Sequence, residues 1–154
     1  MSADLWTFAT TLYAKPGVEA ACLALQDAGA DVCLVLCGLW LDQRGAAHSA
    51  EREVQLRQIA QGWQHEVIEP IRTLRRSWRA AAMGDAALAT LRKRLQQLEL
   101  DAEREQLQRL QAHSASWRGS AGTHLRRWLD ALTPRGAITT QNASDRLHTA
   151  RLAE

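Results

Sequence analysis

The sequence predicts an all-α protein: a single-domain helical bundle of five to six helices around one central buried helix, ending in a disordered C-terminal tail. Three observations predict it. Proline (3) and glycine (9) are scarce in 154 residues, while the good helix formers alanine, leucine, glutamine and arginine abound. Apolar residues recur at three- and four-residue steps in segment after segment, which is the spacing of a helix face. One stretch, Val32 to Leu41, is apolar on every side, as expected of a helix surrounded by others. With 46% hydrophobic and 23% charged residues, the chain is globular and long enough to bury one ordinary core.

Each element follows from its own signals. Leu5, Phe8, Ala9 and Leu12 make a short amphipathic helix capped by Ser2 or Asp4. Pro16 falls at the first turn of a second helix, which carries Val18, Ala21, Cys22 and Leu25 to about Ala28 and closes at Gly29. Asp31 caps the apolar third helix. A strand is rejected there, because only Val32 and Val35 are β-branched and no partner strand is evident. Gly45 ends this helix and Ser49 opens the fourth, whose stripe steps through Leu56, Ala60, Trp63, Val67, Ile71, Leu74 and Trp78. Pro70 inside the stripe predicts a kink or break near Val67.

Met83-Gly84-Asp85 turns the chain into a fifth helix with Leu88, Leu91, Leu95, Leu98 and Ala102 in register before a slip to Leu107 and Leu110. Two heptads and a slip suit a bundle helix or an antiparallel hairpin and fall short of a coiled coil. The bundle domain is therefore expected over residues 5–112, with a small-residue linker at 113–122. Residues 123–132, with Leu125, Trp128, Leu129 and Leu132, read as a short amphipathic helix. Residues 133–154 are polar without a period and read as the disordered tail.

Charge excludes some functions. Nineteen Lys and Arg against seventeen Asp and Glu leave +2, too little to make nucleic acid the default partner. Residues 1–43 hold one base and five acids, and residues 44–94 hold ten bases and five acids, so an acidic first third and a basic middle attract each other within one fold. The ten apolar residues from Val32 to Leu41 are about half of a bilayer crossing. No basic segment precedes an apolar one at Met1-Ser2-Ala3-Asp4-Leu5-Trp6, so a cytoplasmic chain with no membrane association is expected. An odd three cysteines suit reduced thiols.

No motif for catalysis is present: no phosphate loop, nucleophile elbow, dinucleotide fingerprint or paired metal-ligand histidines. Cys33 and Cys37 share a helical face, but lie in the most apolar segment and read as small core residues. His48, His65, His113, His124 and His148 are scattered, and adjacent His65 and Glu66 point about 100° apart on a helix. No metal site, no cofactor and no catalytic residue are predicted.

Three groups of side chains stand out. Arg72, Arg75, Arg76 and Arg79 crowd one helix face at i, i+3, i+4, i+7. They are either an anion-binding face for phosphate, nucleotide or nucleic acid, or are paired internally with Glu99, Asp101, Glu103 and Glu105 on the helix that folds back. Asp27, Asp31, Trp40 and His65 are candidates for a pocket between helices. Trp117, Arg126, Arg127 and Trp128, from a chain with six tryptophans, are candidates for docking a partner through the short helix.

The block Leu12-Tyr13-Ala14-Lys15-Pro16-Gly17-Val18-Glu19-Ala20-Ala21-Cys22-Leu23-Ala24-Leu25-Gln26-Asp27 resembles a family of short proteobacterial proteins known only as a domain of unknown function. The likeness continues through Gly29-Ala30-Asp31-Val32 to Leu39-Trp40 and more weakly at Val67 to Arg72, over roughly residues 5–110. The resemblance implies an all-helical cytoplasmic protein and brings no site, cofactor or activity. The leading expectation is a non-catalytic module that acts through contacts with another protein. The alternatives are an anion binder through Arg72–Arg79, with nucleic acid not favoured, and an enzyme with an inter-helix pocket.

Overall fold

The computed structural model describes residues 3–119, 122 and 125–153. Helix α1 (Leu5–Tyr13) starts at Asp4, whose carboxylate accepts from the Thr7 amide at 2.7 Å; the alternative cap, Ser2, lies outside the described residues. Gly17, at φ 81°, sits where only a residue without a side chain is unstrained. It delays α2 to Val18–Asp27, so Pro16 belongs to the turn before the helix instead of its first turn.

Asp31 caps α3 (Val32–Gln43) at the Leu34 amide. Every α3 residue from Cys33 to Asp42 is buried, because six other helices among the described residues surround it. Ser49 caps α4 (Ala50–Trp63).

The predicted break before Pro70 is a π-helical segment over Gln64–Ile68, followed by α5 (Glu69–Ser77) and α6 (Arg79–Ala82). Proline has no amide to donate into the ladder, and a widened turn just upstream absorbs the loss. After the turn at Met83 to Asp85 the chain returns as α7 (Ala86–Ser114), antiparallel to α4–α6. The outer part of this pair is an arm. Nothing in α5 or α6 is buried, and α7 buries no residue before Glu99.

The C-terminal third differs from the expectation. Residues 133–154 were expected to be a disordered tail, but α9 (Ile138–Leu152) is a helix packed on α2 and α3. Its buried face, Thr140, Ala143, Ser144, Leu147 and Ala150, has helical spacing but is mostly small and polar, so its hydrophobic signal is faint. Small side chains let α9 lie close against α2. Lys15 then donates to the Ala150 and Ala153 carbonyls at 2.8 and 2.7 Å, a cation placed at a helix C-terminus.

Helix α8 (Arg127–Leu132) is also part of the core. Asp42 of α3 accepts from the Trp128 and Leu129 amides at 3.0 and 3.1 Å, capping α8 from another helix. Gly38 permits the crossing, since a Cβ there would come within 2.7 Å of Leu132. The expected linker falls partly on residues 120 and 121, and the start of the expected short helix on residues 123 and 124, all outside the described ones. No helix among the described residues is long and apolar enough to cross a membrane.

Candidate functional site

A cleft of about 670 Å³ opens at the root of the arm, between α1, α2, the start of α3, and the α5–α7 pair. One wall is apolar and aromatic. Leu23 and Leu100 are 51% and 56% exposed on its rim, beside half-exposed Tyr13 and partly buried Trp6. The other wall is polar and crosslinked. Arg72 Nε donates to Glu99 at 2.9 Å and its Nη2 to Glu103 at 3.3 Å. Arg75 Nε closes on the other Glu99 oxygen. Arg92 ties the helices again by donating to the Arg75 carbonyl at 2.9 Å.

Beneath the cleft, a chain of side-chain hydrogen bonds joins two of its lining residues, Gln64 and Asp31, through the enclosed Gln106. Gln64, in the π segment, donates to Gln106 at 2.8 Å, and Gln106 donates to Asp31 at 2.7 Å. The carboxyls respond to these surroundings in different directions. Burial opposes ionisation of Glu99, but the hydrogen bonds from Arg75 and Arg72 outweigh it and hold its carboxyl below the usual range. Burial pushes Asp31 up, against hydrogen bonds from Gln106 and backbone amides. Burial also pushes Glu103 up, and its share of Arg72 only partly offsets this.

Burial pushes the thiols the other way from reactivity: Cys22 is raised to about 11 and Cys33, beneath the polar wall, well above its ordinary value. Among the described residues no three His, Cys, Asp or Glu side chains gather to hold a metal ion.

The candidates from sequence divide. Asp31, Arg72, Arg75 and Arg76 line the cleft. Arg79 lies farther out on the arm, exposed. Of the pocket expected from Asp27, Asp31, Trp40 and His65, only Asp31 lies on the cleft. Asp27 is exposed at the end of α2, and His65 faces solvent 3.9 Å from Glu69. Trp40 is buried and donates to the Ala3 carbonyl at 3.0 Å.

The expected docking helix is not free either. Trp128 is 0% exposed and donates to the Ala46 carbonyl. Trp117 stacks on it, and Arg126 is bound by Asp130 and Asp145. Arg127 alone of that group is exposed. These tryptophans pack inward because α8 fills the groove over Gly38.

Sequence reasoning passed over Gln106, Gln64 and the Arg104–Trp6 stack, in which the guanidinium lies 4.5 Å from the ring centre. Gln106 had a signal. Ala102, Gln106 and Leu110 step by four and are all buried, so the face that the leucine pattern leaves at the slip continues through a polar residue.

Fold and site together define an all-helical domain with an open interhelical cleft. The chain belongs to the family described as protein of unknown function (DUF2390), which it matches over residues 4–110. Every residue lining the cleft, from Trp6 to Leu107, falls inside that stretch, whereas α8 and α9 lie beyond it. No curated protein and no solved structure matches the chain.

Proposed function

We propose that the protein is a non-catalytic interaction module that receives a segment of another protein in the cleft at the root of its arm. One observation carries the reading: a concave site whose apolar rim, Leu23 and Leu100, is more than half exposed. Exposed leucines facing one concavity are the kind of surface that a partner covers. The polar wall supports binding over chemistry, since Arg72, Arg75 and Glu99 satisfy one another and the thiols beneath are held protonated. A four-arginine anion face is correspondingly disfavoured, because two of its members are already engaged by Glu99.

The test is capture from cell lysate by the tagged full chain and by a Leu23→Glu/Leu100→Glu variant. Both side chains project from the surface, so the variant should match the wild type in thermal unfolding. Partners held by the wild type and lost by the variant are expected. An identical set on both proteins, or none on the wild type, would overturn the reading.

A further inference from the structure

The cations around the cleft point to the chemistry of its occupant. Residues 69–98 hold seven bases and two acids. Arg72 and Arg75 are paired with Glu99, but among the described residues no carboxylate lies within 4.0 Å of Arg76, Arg79, Lys93 or Arg104. Three of these track one path. Lys93, Gln97, Leu100 and Arg104 step by four, three and four residues and so share a face of α7. Gln97, Leu100 and Arg104 line the cleft, which places Lys93 about one turn farther out on the same face. Arg76 follows Arg72 by four residues on α5 and lines the cleft from the opposite side. Arg79 begins α6 three residues later.

The path from the cleft along the arm thus runs between Arg76, Lys93 and Arg79, with the exposed Leu100 at its inner end and Arg104, stacked on Trp6, one turn farther in. The carboxyls nearby do not cancel them. Glu99 is spent on Arg72 and Arg75, Glu103 shares Arg72, and Asp31 is engaged by Gln106. Asp101 is the exposed carboxylate on the cleft, and it accepts from Gln97 at 3.0 Å. A second copy of this chain would bring the same basic arm against this one, so like charges oppose self-pairing.

Resting on the proposed function, we infer that the segment received by the cleft is an acidic peptide. An apolar anchor seats against Leu23 and Leu100 beside Arg104, and its carboxylates run outward between Arg76 and Lys93 toward Arg79. Charge complementarity of this kind sets partner choice and encounter rate more than the depth of binding.

The experiment is selection of a random peptide-display library on the full chain alone, after which the enriched peptides are titrated against the wild type and against an Arg76→Glu/Lys93→Glu variant. Both side chains are exposed and make no ion pair in the fold, so the variant keeps its thermal stability. Enriched peptides should combine apolar residues with Asp and Glu and bind the wild type at least about tenfold tighter than the variant. Their affinity should also fall with added salt.

Enriched peptides that are apolar but neutral or basic, bound equally by the charge variant and lost with Leu100→Glu, would overturn the acidic class while leaving cleft docking intact. If no peptide is enriched, or enriched peptides still bind Leu100→Glu, both fail. A single-stranded oligonucleotide that binds the same cations more tightly than any selected peptide would also overturn the inference, replacing a protein partner with nucleic acid.

Discussion

The body of the molecule and its arm are written with the same helical periodicity, yet they use it differently. In α3 every residue from Cys33 to Asp42 is enclosed. In the arm, Leu74, Leu91 and Leu98 recur at the same spacing and remain 42–50% exposed. Two helices alone cover only one side of each other, and a stripe wider than their shared seam has nowhere to go. Periodicity therefore says that a helix forms, while the number of neighbours decides how much of its stripe is buried. Stability belongs in the body, and the arm is left able to carry surface for recognition.

The largest test of this division is Trp128→Ala. The side chain is fully enclosed among α3, α8 and the Ala46 turn and donates to a buried carbonyl. Its removal should cost about 3–5 kcal/mol, read as a shift in the urea midpoint. A loss under about 1 kcal/mol would mean that α8 is a detachable flap, and that the body ends with α7.

That α8 and α9 complete the core was the part least visible in the sequence. The caps Asp4, Asp31 and Ser49 were legible because a capping side chain acts within three residues of itself. The buried third helix and the break before Pro70 were equally local. Helix α9 was hidden because alanine, serine and threonine pack closely without a strong hydrophobic pattern. The inward turn of Trp128 depends on Gly38 and Asp42, some ninety residues earlier, and no local pattern reports such a contact. At the site, the arginine–glutamate pairs could be foreseen from the turn at Gly84, which brings the two helices together. The cleft could not, because its other wall comes from α1 and α2 and depends on how the arm leaves the body.

A finer comparison uses pH, since the body and the arm each bury a carboxylate but shift it in opposite directions. Burial raises Asp42 in the body to about 6, although it caps α8. The folded chain thus keeps that proton to a higher pH than the unfolded chain, whose Asp releases it near 3.9. The stability that Asp42 contributes should fall as pH rises from about 4 to about 6. Glu99, at the arm's root, is held below its usual range by Arg75 and Arg72 against the effect of burial. Its contribution should be fully present above about pH 4.5 and fade as the pH falls through its lowered value. Thermal unfolding of Asp42→Asn and Glu99→Gln across pH 3–7 should give wild-type-minus-variant curves of opposite slope, with the Asp42 change spanning about 3 kcal/mol. Parallel slopes would show that both carboxylates sit in the same kind of environment, and the contrast between the regions would lose its electrostatic half.

The smallest expected effect sharpens the comparison most. Leu91 is a leucine on a regular helix stripe, and a sequence reading alone would rank it with Leu39 or Leu41. It is 48% exposed, whereas Leu39 and Leu41 are at 0%. Truncating a leucine already half in water creates no sealed cavity, so the cavity cost of a core deletion is absent. What remains is the transfer of its covered half, opposed by the slightly better helix propensity of alanine. Leu91→Ala should thus cost less than about 1 kcal/mol, where Leu41→Ala should cost about 2–5 kcal/mol. If both variants lose stability equally in the same denaturant titration, the arm's stripe is covered in solution by something outside the chain. The exposed leucines would then belong to an interface formed before any partner reaches the cleft.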